Sequence, residues 1–133
     1  MAYNWDKSLE TGNLVIDEQH KSIIDAINVL LEACSQGKGR VEVENTLKFL
    51  QDYVVKHFND EERLQLKANY PEYNSHKEKH EKFKKTVAEI ADEFNKNGAS
   101  IQLVAKVNSS IAGWLITHIK NDDKKVAAFI KNN

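Results

Sequence analysis

Apolar residues recur along this chain at alternating steps of three and four, the spacing that lines one face of an α-helix. The first stretch reads Ile16, His20, Ile23, Ile27, Leu30, Cys34, and the second Val43, Leu47, Leu50, Val54, His57, Glu61, Leu64. The third reads Tyr73, His76, His80, Phe83, Val87, Ile90, Phe94, and the fourth Ile101, Val104, Val107, Ile111, Trp114, His118. Breaks fall between them: Gly12 closes an N-terminal arm, Gly37 and Gly39 share one loop, and Gly98 marks another. The single proline, Pro71, stands where a first helical position is expected. Gly113 interrupts an apolar stretch at a cost of about 1 kcal/mol relative to alanine, so it is expected to serve close packing or a local need.

Four amphipathic helices of about 20 residues would each run about 30 Å. Short connections make sequential helices antiparallel. The expected fold class is therefore all-α, an up-down-up-down four-helix bundle with an N-terminal arm and a short C-terminal helical segment. The chain is expected to form a single domain over residues 1–133. Residues 1–15 would be the arm, with Trp5 and Leu14 packed along the outside, residues 16–121 the bundle, and residues 122–133 the C-terminal segment with Phe129 and Ile130.

A chain of 133 residues can bury a core without disulfide staples. Its 19 basic and 20 acidic side chains leave a net charge of −1, which argues against nucleic acid or an anionic membrane as the main partner. Cys34 is the only cysteine, so no internal disulfide forms, and a lone thiol fits a reducing compartment. It is expected to be a small core residue toward the end away from the histidines. There is no signal-peptide pattern and no apolar run near the roughly 20 residues that span a bilayer, so a cytoplasmic location is expected. The Lys and Glu run from Lys77 to Glu89 reads as a solvated face.

The chemistry lies in what interrupts the apolar stripes. All five histidines fall on them: His20, His57, His76, His80 and His118. Glu61 follows His57 by one turn, and a carboxylate at a core position is costly unless paired or coordinated. These six residues lie at helix ends that an antiparallel bundle brings to one level. Imidazole suits zinc, copper, iron and nickel, and carboxylates add harder oxygen donors. Five histidines exceed the needs of one four-coordinate structural zinc. Two ions sharing carboxylates account for the set, as in other dimetal bundles. A seventh donor is open on spacing: relative to His118, Asp122 is about 40° away around an ideal helix and Asp123 about 140° away. Regular geometry favours Asp122, and Asp123 requires the helix to end or distort.

The ordered set of motifs resembles the hemerythrin family, in particular its single-domain bacterial members. The resemblance runs essentially end to end, through Trp5, Ile16-Asp17-Glu18-Gln19-His20-Lys21, His57-Phe58-Asn59-Asp60-Glu61-Glu62, Tyr70-Pro71, His76-Lys77-Glu78-Lys79-His80 and Trp114-Leu115-Ile116-Thr117-His118-Ile119. It implies that His76, His80 and His118 hold one iron and His20 and His57 the other. Glu61 and Asp123 would bridge them, with an oxo or hydroxo group as a third bridge. The resemblance thus points to Asp123 and to a distortion near residues 119–123. It also implies a dioxygen pocket lined by Phe58, Phe83, Trp114, Leu115 and Ile119, with Ile23 or Ile24 from the first helix. Two positions depart from the family's usual pattern: Ile24 stands where an aromatic residue is common, and Gln65 where methionine is common. Gln65 lies one residue past the Leu64 stripe position and is expected to be peripheral.

The function implied is reversible dioxygen binding at a non-haem diiron centre, for storage, delivery or scavenging, in a monomer that is not an enzyme. The alternative is oxygen or redox sensing through the same irons, acting on a separate partner protein. Oxygen-activating diiron enzymes of the ferritin-like type use about four carboxylates and two histidines, so the histidine-rich set here favours holding oxygen over activating it.

Overall fold

The computed structural model describes residues 3–37 and 40–132, so Gly39 of the expected first loop and the outermost residues of both end segments lie outside it. Among the described residues, four helical rods follow a short 3-10 turn at Lys7–Leu9. The first three are α1 (Leu14–Ser35), α2 (Arg40–Lys67) and α3 (Tyr73–Asn97). The fourth runs through α4 (Ile101–Lys106), a π-helical stretch (Val107–Gly113), α5 (Trp114–His118), a second π-helical stretch (Ile119–Asp123) and α6 (Lys124–Lys131). Every junction along it keeps right-handed helical backbone angles, so it is one rod with two widened segments.

Local chemistry sets the rod ends. Asn13 caps α1, its side chain accepting from the Ile16 N–H at 3.1 Å, and Ser100 caps α4 by accepting from Leu103 at 3.0 Å. Gly98 ends α3 at φ 71°, where its N–H reaches the Phe94 carbonyl. Pro71 does not open a helix as expected. It follows Tyr70 in a turn closed by the Tyr73 N–H on the Tyr70 carbonyl, and α3 starts two residues later.

Contacts at both ends show the rods alternating in direction. His20 near the start of α1 meets His57 near the end of α2, with ring centroids 4.7 Å apart. At the far end, Arg40 at the start of α2 donates to the carbonyl of Phe94 near the end of α3. The architecture is the expected all-α, up-down-up-down bundle. Among the described residues, no helix is long and apolar enough to cross a membrane.

The arm is tied down by polar bonds. The Tyr3 backbone exchanges two 2.8 Å hydrogen bonds with the Asn28 side chain, and the Tyr3 hydroxyl donates to Asn108 at 2.9 Å. Trp5 packs against the core and Leu9 is buried in it. Leu14, by contrast, is 82% exposed rather than packed.

The stripes of the first three rods are buried much as their spacing implies, with Cys34, Leu64 and Tyr73 half-buried. The fourth differs. Ile101 is 86% exposed, while Leu103, Val107, Ile111 and Leu115 are buried, so the face is offset from the one expected. The first π-helical stretch then widens it, burying the adjacent pair Ile111 and Ala112. Gly113 ends that stretch. A Cβ there would lie 3.4 Å from the Asn108 carbonyl oxygen, an ordinary contact, so close packing is not its reason. The offset is testable by chemical denaturation. Leu103→Ala is expected to cost about 2–5 kcal/mol, and Ile101→Ala no more than about 0.5 kcal/mol; the reverse order would place the buried face where the simple spacing put it.

Candidate metal centre

Every rod delivers donors to one layer. α1 supplies His20, α2 His57 and Glu61, α3 His76 and His80, α5 His118, and the second π-helical stretch ends on Asp123. All seven are buried, none more than 4% exposed. Their donor atoms form two groups, each with its members within 4.8 Å of one another: Glu61, His76, His80, His118 and Asp123, and His20, His57, Glu61 and Asp123. The two carboxylates belong to both.

Each carboxylate turns one oxygen to each group. Glu61 Oε1 lies 2.7 Å from His76 Nε2 and 3.2 Å from His80 Nε2, while its Oε2 faces His57 Nε2 at 3.7 Å. Asp123 Oδ1 lies 3.1 Å from His118 Nε2 and 3.2 Å from His76 Nε2, while its Oδ2 is 2.8 Å from His20 Nε2. Short as these distances are, both Asp123 oxygens, Glu61 Oε2 and the Nε2 atoms of His20, His57 and His76 lack directed hydrogen bonds among the described residues. They point into shared space. Buried donors that converge without bonding one another fit cations held between them.

The second π-helical stretch brings Asp123, rather than Asp122, into both donor groups. Bonding from residue i to i+5 takes more residues per turn than an α-helix, so the fifth residue after His118 comes round beneath it. Asp122 is not displaced from the site. Its Oδ2 lies 2.9 Å from His118 Nδ1, so the two aspartates meet opposite nitrogens of one ring. Lys79 donates to Asp122 at 2.9 Å from α3.

Two other rings have outer partners. His57 Nδ1 meets Gln19 Oε1 at 2.7 Å, and Gln19 Nε2 donates to Asp60 at 2.8 Å. His80 Nδ1 meets Glu62 Oε2 at 2.9 Å. Oxygen acceptors at Nδ1 place the ring hydrogen there and leave the Nε2 lone pair facing the centre, as in carboxylate–histidine–metal arrangements. Gln19 and Glu62 were not singled out by the stripe spacing. Their one signal is adjacency, since each neighbours a predicted donor on a helix. Gln65 is wholly buried rather than peripheral as its spacing implies, and Leu64 is the half-buried one. The rod turns its Glu61 face inward at i+4, beyond the position that the alternating steps selected.

Charge balance follows from these contacts. Burial disfavours an ionised Asp123, yet His118, His20 and His76 hold its carboxyl well below the usual range. Burial and the Asp123 charge oppose ionisation of Glu61, and His76, His80 and His57 outweigh them, lowering it. For His76, burial opposes protonation, but Asp123 and Glu61 prevail and raise it to about 9. Burial dominates at His57 and lowers it to about 4.

The residues expected to form one oxygen pocket divide into two settings. The Phe58 ring stacks on His80 at 3.7 Å between centroids, Phe83 stacks on Trp114 at 4.2 Å, and Trp114 stacks on His118 at 4.5 Å. This aromatic block covers the three-histidine group. Ile24 and Leu115 instead line an apolar seam with Tyr3, Ile27, Ala112 and Ile116, too narrow to hold a water molecule. Ile23 and Ile119 are fully buried in the same core.

Comparison with known proteins agrees with this geometry. The family described as the Hemerythrin HHE cation binding domain matches residues 11–130. A bacteriohemerythrin from Pseudomonas paraeruginosa is 37% identical over 119 residues, 90% of this chain and 75% of that protein. A hemerythrin-like protein from Naegleria gruberi is 37% identical over 123 residues, 92% of this chain and 89% of that protein. A crystal structure of wild-type hemerythrin superposes with a TM-score of 0.84 at 29% identity, covering 98% of both chains. With a family match over nearly its whole length and a buried cluster of metal-binding side chains in a four-rod bundle, the chain belongs to the hemerythrin family.

Proposed function

We propose that this protein binds dioxygen reversibly at a non-haem diiron centre. The observation that carries the reading is the pair of donor groups that share Glu61 and Asp123. His76, His80 and His118 would hold one iron, and His20 and His57 the other, with the two carboxylates and an oxo or hydroxo group between them. Iron, when bound, supplies the reversible electron transfer that dioxygen binding requires.

The protein's own contribution is asymmetric. One group offers three imidazoles and the other two, so an exogenous ligand has its place on the two-histidine side. Phe58 and Trp114 pack their rings flat on His80 and His118, which occupies the ring faces of the three-histidine side. Gln19, Glu62 and Asp122 hold three rings in orientation. Fully buried Ile23 and Ile119, with Ile24 and Leu115 at the seam, keep water scarce and so disfavour the release of charged oxygen species. Few carboxylates and many imidazoles favour binding over oxygen activation.

Anaerobic reduction followed by oxygen titration, watched by absorbance, should give a coloured adduct that disappears when oxygen is removed. Direct conversion to a stable ferric form would refute the carrier reading. His80→Ala is expected to lose metal while Cys34→Ser keeps it, and metal analysis showing both irons retained in the His80 variant would refute the ligand assignment. Binding should also be linked to protons. His76, raised to about 9 in the metal-free protein, must lose its proton to act as a ligand, whereas His57, lowered to about 4, is already neutral at pH 7. Affinity therefore rises with pH toward 9 and levels beyond it. Metal addition in dilute buffer should release about one more proton at pH 7 than at pH 10, and equal release at the two would count against His76 as a ligand.

A further inference from the structure

Gln65 lies one helical turn beyond Glu61 on α2 and is wholly buried. Its Nε2 is 3.4 Å from Glu61 Oε1, and its own Oε1 has no hydrogen-bond partner among the described residues. The carboxylate decides which way the amide faces. An NH2 group can approach a carboxylate oxygen, whereas a carbonyl there would be repelled, so the carbonyl is the end left unpaired. A buried carbonyl without a partner opposes folding, and an apolar side chain of similar volume would relieve that cost. Packing therefore gives no reason for an amide at this position, and the contact with Glu61 does.

Glu61 Oε1 is the oxygen that faces His76 and His80. A donor on that oxygen limits the rotation of the carboxylate. It also draws electron density from the oxygen and weakens what that oxygen can give a bound cation, more so for the more highly charged cation. We propose that Gln65 is a positioning residue whose N–H donor holds Glu61 and biases a bound iron pair toward the ferrous state. This rests on Glu61 acting as the shared ligand proposed above.

Gln65→Met and Gln65→Leu both remove the donor and fill the space with apolar atoms. Two measurements separate the roles: thermal unfolding of the metal-free protein, and redox titration of the iron-loaded protein. The metal-free Tm is expected to match or exceed that of the parent. The ferric-to-ferrous ratio at a fixed potential is expected to rise about threefold, the low end for loss of one long hydrogen bond. An unmoved ratio in both variants overturns the proposal. Accompanied by a lowered metal-free Tm, that result makes Gln65 a packing residue. If the parent takes up no iron, the diiron reading falls and this inference with it, whereas iron uptake with an unmoved ratio overturns the role of Gln65 alone.

Discussion

Glu61 and Asp123 are carboxylates closed off from water, and a buried charge survives only where opposite charge or directed polar groups compensate it. That requirement organises the metal end of the bundle. Histidines from α1, α2, α3 and α5 surround the two acids, and the electrostatic balance keeps both acids ionised against the effect of burial. Compensation continues outward. Gln19, Glu62 and Asp122 take the outer nitrogens of three rings, and Asp60 and Lys79 carry two of those chains toward the surface. Each polar shell leaves a residual demand that the next one meets.

The fourth rod bears the geometric cost. Hydrogen bonds from residue i to i+5 are uncommon in proteins and often mark functional positions. This rod contains two such stretches. The second brings Asp123 under His118 while leaving Asp122 on the ring's other side, so consecutive aspartates take different tasks. The first buries Ile111 and Ala112 together, and its Asn108 receives the Tyr3 hydroxyl, tying the arm across the seam beside Ile24 and Leu115. Distortion in one helix thus serves both the polar layer and the apolar wall next to it.

The two sides of the layer are unequal in their neighbours as well as their donors. An aromatic block stacks on the three-histidine side. The seam at Ile24 and Leu115 is lined mainly by aliphatic side chains, with Tyr3 at the arm. Flat rings packed on imidazoles leave little room for movement, whereas aliphatic side chains can shift by rotamer changes without losing polar bonds. Under the proposed function, the aromatic side would be held still and the aliphatic side would be the one to admit a small apolar guest.

The four rods, their alternation and the convergence of His20, His57, Glu61, His76, His80 and His118 follow from sequence spacing, because a regular helix converts steps of three and four directly into a shared face. Spacing failed where the helix was irregular or the face turned. Ile101 reads as core yet faces solvent, and Gln65 reads as peripheral yet lies buried against Glu61. Asp123 over Asp122 came from resemblance to a family, not from helical geometry. Sequence alone therefore determined which residue types meet at one level of the bundle. Tertiary structure decided which oxygen faces which ring, which neighbours hold those rings, and where the fourth helix widens, because these depend on packing between rods that no single helix encodes.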